Sequence, residues 1–467
     1  MAKFARLIFF LYLCSRIYNF TIMKKAISLL FIALVCMSVR AEETESIRYV
    51  GGDISMLPMY EIHNKPYKDV FGKKIEDMIP WAMSECGWNT FRVRIFVNPE
   101  KTDPSLCQDL AYVTALGKRI KAAGGYFLLD FHYSDTWVDA GKIQSPVAWK
   151  GSDDATMAQH VDTYTREVLN TLKAENATPD LVQVGNEIMY GLCDRRVHPY
   201  DYDGDNWNGY LMLLRASCNA VRELCPDAKI IIHTDRATNM GYNKYYYQKL
   251  IDNEVYFDII GLSYYPFWHG YLTDEQVKSK TDKNNLVKSI KQLAVDFPDK
   301  DVQIVEFAYN FQYWPTAGVN YNTQDVWPCS VAGQYKMVKD LVDALLPLEN
   351  VTGINYWFPE EAGNGDDTDW STSQGTVLWT WQNRGLWSTE NNNGHAINRL
   401  SKVQVGQSAA DVCAAYYMGK FAGFEPPVLQ NIESVAEPES EAGKMLMDGI
   451  LIIRRNGMRF TLDGRRL

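Results

Sequence analysis

Apolar residues along this chain come in short, dense runs separated by longer stretches of mixed character. The runs fall at 47–52 (IRYVGG), 88–96 (WNTFRVRIF), 125–131 (GYFLLDF), 181–186 (LVQVGN), 229–233 (KIIIH), 257–263 (FDIIGLS), 302–306 (VQIVE) and 352–357 (TGINYW). They are near-continuous rather than alternating, as parallel strands buried on both faces require. Between them, apolar positions recur at helical spacing. Residues 161–175 place Val161, Tyr164, Val168, Leu169 and Leu172 on one face. Residues 331–346 do the same with Val331, Val338, Leu341, Val342 and Leu345. Eight strands with helices between them predict an α/β fold, a (β/α)8 TIM-type barrel. A doubly wound sheet is the competing arrangement, but no glycine-rich phosphate fingerprint follows the first run.

Polar residues gather just after each apolar run. Arg94 ends the second, Asp130 and His132 the third, Asn186 and Glu187 the fourth and His233 the fifth. Tyr264 and Tyr265 end the sixth, Glu306 the seventh and Trp357 the eighth. In a barrel these ends ring one opening, the face where active sites sit.

The two ends of the chain read differently. Residues 1–41 are a targeting region with its start at Met23: Lys24 and Lys25 are basic, residues 26–37 (AISLLFIALVCM) are apolar, and Val39-Arg40-Ala41 offers a cleavage site. Ala33-Leu34-Val35 before Cys36 is a poor lipidation motif, so a soluble exported product is expected: periplasmic, at the cell surface or extracellular. Residues 42–421 form the expected catalytic barrel. Residues 422–444 are acidic and contain proline, a composition suited to a linker. Residues 445–467 suggest a hairpin-like tail, with ILIIRR and MRFTL joined at Asn456-Gly457.

Composition narrows the function. The 467 residues are 46% hydrophobic and carry a net charge of −10 without a basic stripe, so nucleic acid is not an expected partner. Seven scattered histidines and the absence of CxxC argue against a zinc site. Nine cysteines leave seven after the targeting region, an odd number, so at least one thiol is unpaired. A large core accounts for most of the 13 Trp and 28 Tyr, and a Trp in a strand-end loop would suit stacking on flat apolar sugar faces.

Glu187 and Glu306 stand out chemically. Each follows an apolar run, where an unpaired carboxylate is costly to bury. A salt bridge at the barrel rim would explain one such residue. Two, after strands four and seven, with Asn186 before the first, point to hydrolysis of a glycosidic bond. That reaction needs a proton for the leaving oxygen and stabilisation at the sugar carbon, and two carboxyl groups supply both.

The stretches GGDISMLPMYE (51–61), FRVRIFVNP (91–99), DFHYSDTWVDAGKIQSPVAW (130–149), VQVGNE (182–187) and SYYPFWHG (263–270) resemble glycoside hydrolase family 53, the arabinogalactan endo-β-1,4-galactanases. The resemblance covers most of residues 48–400. It implies a secreted, retaining enzyme acting on β-1,4-galactan by double displacement, with Glu187 as acid/base and Glu306 as nucleophile. It further implies that Asn186 holds the sugar 2-hydroxyl, that Arg94 sits beside Glu306 and keeps it ionised, and that Tyr265 donates to the nucleophile. His132 and His233 would line the sugar site, a structural hydrogen bond being the alternative for both. Trp357 would form an aromatic floor, and Asp139 and Lys142 would contact the galactan chain.

Family members carry an acidic calcium loop soon after the nucleophile; here residues 308–330 hold only Asp325 as an acid. A different loop, 363–369 (GNGDDTD), offers Asp366, Asp367 and Asp369 to a structural calcium ion, with a solvated surface loop as the competing reading. No cofactor is required, and a monomer is expected. Other readings of the same residues are a β-mannanase or β-glucanase of the same clan, or a surface glycan-binding protein that has lost catalysis.

Overall fold

The computed structural model describes residues 47–62, 66–101, 105–198, 200, 202–277, 284–313, 322–361, 383–389, 395–399 and 413–425, together with tail strands at 442–447, 450–455 and 458–461. The targeting region, the Asn456-Gly457 turn and the acidic loop with Asp366, Asp367 and Asp369 lie outside the described residues.

Eight parallel strands close into a barrel. They are β1 (Tyr49–Asp53), β2 (Thr90–Ile95), β3 (Tyr126–Phe131), β4 (Leu181–Val184), β5 (Lys229–Thr234), β6 (Ile259–Tyr264), β7 (Asp301–Phe307) and β8 (Val351–Trp357). Each pairs with its neighbours in sequence, and β1 closes the ring on β8 from Tyr49↔Gly353 to Asp53↔Trp357. The eight expected strands are therefore all present, each within two residues of its apolar run at either end. The main helices between them are α1 (Met78–Cys86), α2 (Leu110–Ala122), α3 (Asp154–Ala174), α4 (Trp207–Leu224), α5 (Met240–Asp252), α6 (Leu286–Asp296) and α7 (Val331–Leu345). All seven begin at an Asp, Asn or Ser whose side chain accepts a backbone N–H of the first turn.

Strand alternation sorts the core into two layers. Phe127, Leu129, Val182, Ile230, Ile232, Ile260 and Ile304 join the large apolar cluster shared with the helices. Their neighbours Leu128, Leu181, Ile231, Ile259 and Val305 form a separate small cluster, which fills the barrel interior. Two residues beyond Leu128, Leu181 and Ile231 on the same faces come Asp130, Gln183 and His233, all fully buried. The barrel is thus plugged by aliphatic side chains and capped by a polar layer towards the strand C-termini.

One irregularity matters for function. The register of β7 against β6 shifts between Ile304 and Glu306. Under strict alternation Glu306 would face the helices with Ile304. The bulge adds a residue and turns Glu306 into the barrel mouth, a use of bulges common beside active sites.

The tail departs from the two-strand expectation. Ala442–Met447, Ile450–Arg455 and Met458–Thr461 form an antiparallel sheet of three strands, and the first begins within the segment read as linker. A third strand supplies the pairing that an isolated hairpin lacks.

Candidate active site

The strand C-termini open into a cleft of about 500 Å³, and both Glu187 and Glu306 line it. Trp137, Tyr265, Trp268 and Trp357 contribute aromatic walls, while Asp139, Lys142, Asn186, Asp235, Arg236 and Arg384 contribute polar ones. Asp139 and Lys142 form an ion pair at 3.0 Å on this rim, partly exposed. Trp357 meets Tyr265 edge to face, with ring centroids 6.2 Å apart.

Glu306 is tied down by two side chains. Its Oε1 lies 2.8 Å from Arg92 Nη2, and its Oε2 accepts the Tyr265 hydroxyl at 3.0 Å. The arginine expected beside the nucleophile was Arg94, and the structure corrects that to Arg92. Both point into the barrel, being two apart on β2, but Arg92 lies deeper. It also reaches Asp53 at 2.6 Å, Asp130 at 2.8 Å and Asn186 Oδ1 at 2.9 Å. Arg94 instead lies 3.6 Å from Asp53 and stacks on Trp137, its guanidinium 4.1 Å from the ring centre. It braces the cleft wall, and the ion pair to Glu306 is made by Arg92.

Glu187 follows Gly185 (φ 83°) and itself sits in the left-handed region at φ 49°. A non-glycine residue there is strained, and such strain clusters at functional sites. Its Oε1 accepts the Ser263 hydroxyl at 2.6 Å. Beside it Asn186 is fixed, with Nδ2 donating to the Val138 carbonyl at 2.8 Å.

The two carboxyl groups meet different fields. Burial raises both. For Glu187, Glu306 and Asp235 add repulsion, and its pKa stands well above the ordinary glutamate value. For Glu306, burial raises the pKa and Arg92 opposes it, leaving about 7. Arg92 therefore restrains the pKa of Glu306 without bringing it down to that of an exposed carboxylate. Among the described residues no ion pair joins Glu187 to a cation. The two carboxyl groups thus share a rise from burial, and among the described residues only Glu306 has an ion-paired cation opposing it. Asp130, raised by burial, is pulled below its usual value by Arg92 and then His132.

The two histidines expected on the sugar face lie behind it. His132 is buried, with Nε2 3.2 Å from Asp130 and Nδ1 accepting the Val138 N–H at 3.1 Å. His233 is buried between Gln183 and Ser263. Burial and the nearby Arg92 push His233 well below its ordinary pKa, so it is neutral. Both therefore make structural hydrogen bonds.

Sequence reasoning missed Arg92, Gln183, Ser263, Asp235, Arg236 and Trp268. Arg92 and Gln183 fall on inward parity within their strands, and that signal was available. Depth along the barrel axis was not. On metals, no group of three or more His, Cys, Asp or Glu among the described residues could hold an ion.

Known proteins carry the same architecture. Residues 49–401 match Glycosyl hydrolase family 53. A probable arabinogalactan endo-β-1,4-galactanase A from Aspergillus fumigatus is 31% identical over 372 residues, covering 75% of this chain and 96% of the relative. The arabinogalactan endo-β-1,4-galactanase A of Emericella nidulans is 31% identical over 363 residues, covering 75% of this chain and 95% of its own length. The family 53 catalytic domain of Ignisphaera aggregans superposes with a TM-score of 0.62 at 26% identity, covering 82% of this chain and 98% of that one. With the match spanning the barrel and both carboxylates inside it, this chain is a glycoside hydrolase and belongs to glycosyl hydrolase family 53.

Proposed function

We propose that this protein is an exported endo-β-1,4-galactanase that hydrolyses galactan side chains of pectin and type I arabinogalactan with retention of configuration. One observation carries the reading: two carboxyl groups, Glu306 buried and Glu187 half-buried, share one cleft, and among the described residues only Glu306 forms an ion pair with a cation. The relatives' names supply the substrate class.

The chemistry follows from those environments. Glu306, ionised beside Arg92, attacks the anomeric carbon. The glycosidic C–O bond breaks as Glu187 protonates the leaving oxygen. Glu187, now a carboxylate, takes a proton from water, and that water displaces Glu306 from the sugar carbon. Retention in this scheme needs carboxyl groups about 5 Å apart. In this reading Trp357 and Tyr265 form the apolar floor and Asn186 serves the 2-hydroxyl, its side chain oriented by hydrogen bonds to Val138 and Arg92. The Asp139–Lys142 pair on the rim contacts the chain beyond the cleavage point.

Export rests on the apolar segment after Lys24 and Lys25. No helix among the described residues is long and apolar enough to cross a membrane.

Product profiling tests the proposal. Linear β-1,4-galactan, arabinogalactan, mannan and cellulose would be incubated with the enzyme and the fragments sized. Short galactooligosaccharides from galactan alone are expected. Fragments from mannan or cellulose in place of galactan would place the enzyme elsewhere in the clan, and binding without cleavage would make it a glycan-binding protein.

A further inference from the structure

One imidazole chain holds Glu187 at both ends. The Glu187 backbone N–H points to His233 Nδ1 at 3.3 Å, and Glu187 Oε1 accepts the Ser263 hydroxyl at 2.6 Å. His233 Nε2 lies 2.8 Å from that same Ser263 Oγ. The Gln183 side-chain amide also presents its nitrogen to His233 Nδ1, at 3.1 Å. Two donors on Nδ1 select the tautomer with the lone pair there and the proton on Nε2. Asn186 Oδ1, 3.2 Å from Nδ1, would suit the other tautomer, but it already accepts from Arg92 at 2.9 Å, and the Glu187 N–H needs a lone pair on Nδ1. His233 Nε2–H then donates to Ser263 Oγ. The serine proton is left one direction, towards Glu187 Oε1.

We infer that His233 and Ser263 form a positioning device that reserves Oε1 of Glu187 as a hydrogen-bond acceptor and so places the catalytic proton on Oε2. The inference rests on the acid/base role proposed above for Glu187. A neutral carboxyl group has one good acceptor, its carbonyl oxygen, and one hydroxyl oxygen. A buried donor committed to Oε1 makes that atom the carbonyl. The proton then occupies the other oxygen, free to meet the glycosidic oxygen. The second tether, from Nδ1 to the Glu187 N–H, fixes a backbone turn that L residues seldom adopt (φ 49°). Orientation of the acid is thereby set by the barrel interior and not by substrate.

Charged and titratable groups facing Glu187 are Glu306 on β7, Asp235 and Arg236 after β5, Asp139 after β3 and Tyr265 after β6. Replacing Ser263 leaves all of them in place. Donation to Oε1 favours the carboxylate, so its loss raises the acid's pKa further.

The test measures kcat/KM against pH for the enzyme and its Ser263→Ala and Ser263→Thr variants. Two substrates are used: linear β-1,4-galactan, and a dinitrophenyl β-galactooligosaccharide whose leaving group needs no proton. On galactan, Ser263→Ala is expected to fall about tenfold, part of the 10²–10⁴ that a general acid contributes, with its alkaline limb moved to higher pH. On the dinitrophenyl substrate it stays within about twofold of the parent enzyme. Ser263→Thr, which keeps the hydroxyl, restores the parent profile. Equal losses on both substrates, or an unchanged galactan profile, overturn the inference. A Glu187→Ala control separates the two levels. Full galactan activity in that variant removes the acid/base assignment itself. Its loss beside an unchanged Ser263→Ala profile removes only the positioning role.

Discussion

Arg92 Nη2 lies 2.8 Å from Glu306 Oε1, and the same guanidinium is shared with Asp53 and Asp130 deep in the barrel. One buried cation thus serves three carboxylates, of which Asp53 and Asp130 are fully buried. Asp53 and Asp130 hold Arg92 independently of Glu306. Removing Arg92 leaves buried carboxylates uncompensated, a change that typically destabilises by about 3–5 kcal/mol. Arg92→Gln is expected to be strongly destabilised in chemical denaturation. Arg94→Gln loses its stacking on Trp137 and a weaker contact to Asp53, and should be hurt less. Equal destabilisation by the two changes would contradict the assignment of Arg92.

The pH profile follows from the same fields. Glu306 must be ionised to attack, so kcat/KM should fall as pH drops through about 7. Glu187 must be protonated, so activity should fall again as pH rises through its own raised pKa. The result is a bell whose limbs belong to the coupled pair. An acidic limb near pH 4.5, the value of an exposed glutamate, would show that burial does not dominate at Glu306.

Stability should carry the opposite sign of pH dependence from an ordinary salt-bridged acid. The folded state raises the Glu187 pKa, so it binds more protons than the unfolded chain above about pH 4.5. That costs stability as pH rises through this window. Glu187→Gln, which removes the charge and keeps the shape, should raise Tm by a few degrees near pH 8 and leave it unchanged near pH 4. Scanning calorimetry at the two pH values checks this; an equal gain at both would mean that charge burial is not the cause.

Glu306→Gln should abolish hydrolysis of galactan while leaving binding of galactooligosaccharides within about threefold, because the amide keeps the Tyr265 contact. Isothermal calorimetry on the inactive variant measures the binding. With the parent enzyme, NMR in the first minutes of reaction should show the β anomer of the product. Early α anomer would rule out double displacement.

Cysteine chemistry offers a simpler check. Among the described residues no disulfide joins the seven cysteines from Cys86 to Cys413, and five of them are buried. Reductant should therefore leave Tm unchanged, and a thiol titration of the unfolded mature enzyme should count seven. A count of five or fewer would mean that bridges form between them.

The barrel itself was legible in the chain. Eight dense apolar runs place the strands, because a strand covered on both faces has to be apolar throughout. Polar residues directly after those runs mark the mouth, and Glu187 and Glu306 are visible as carboxylates where burial is expensive. The family resemblance is what assigns each of them a role. What local pattern could not supply was depth and facing. Arg92 and Arg94 share a parity, and only the stagger of the closed barrel brings the first to Glu306 and the second to Trp137. His132 and His233 end strands as a sugar-lining residue would, yet neighbouring strands cover them and turn them into hydrogen-bonding supports. Strict alternation would have sent Glu306 to the outside, and the β7 bulge reverses that through pairing with β6. Sequence determined which residues could do the chemistry, since periodicity and burial cost are local. Tertiary structure decided which ones meet, since register and closure depend on all eight strands at once.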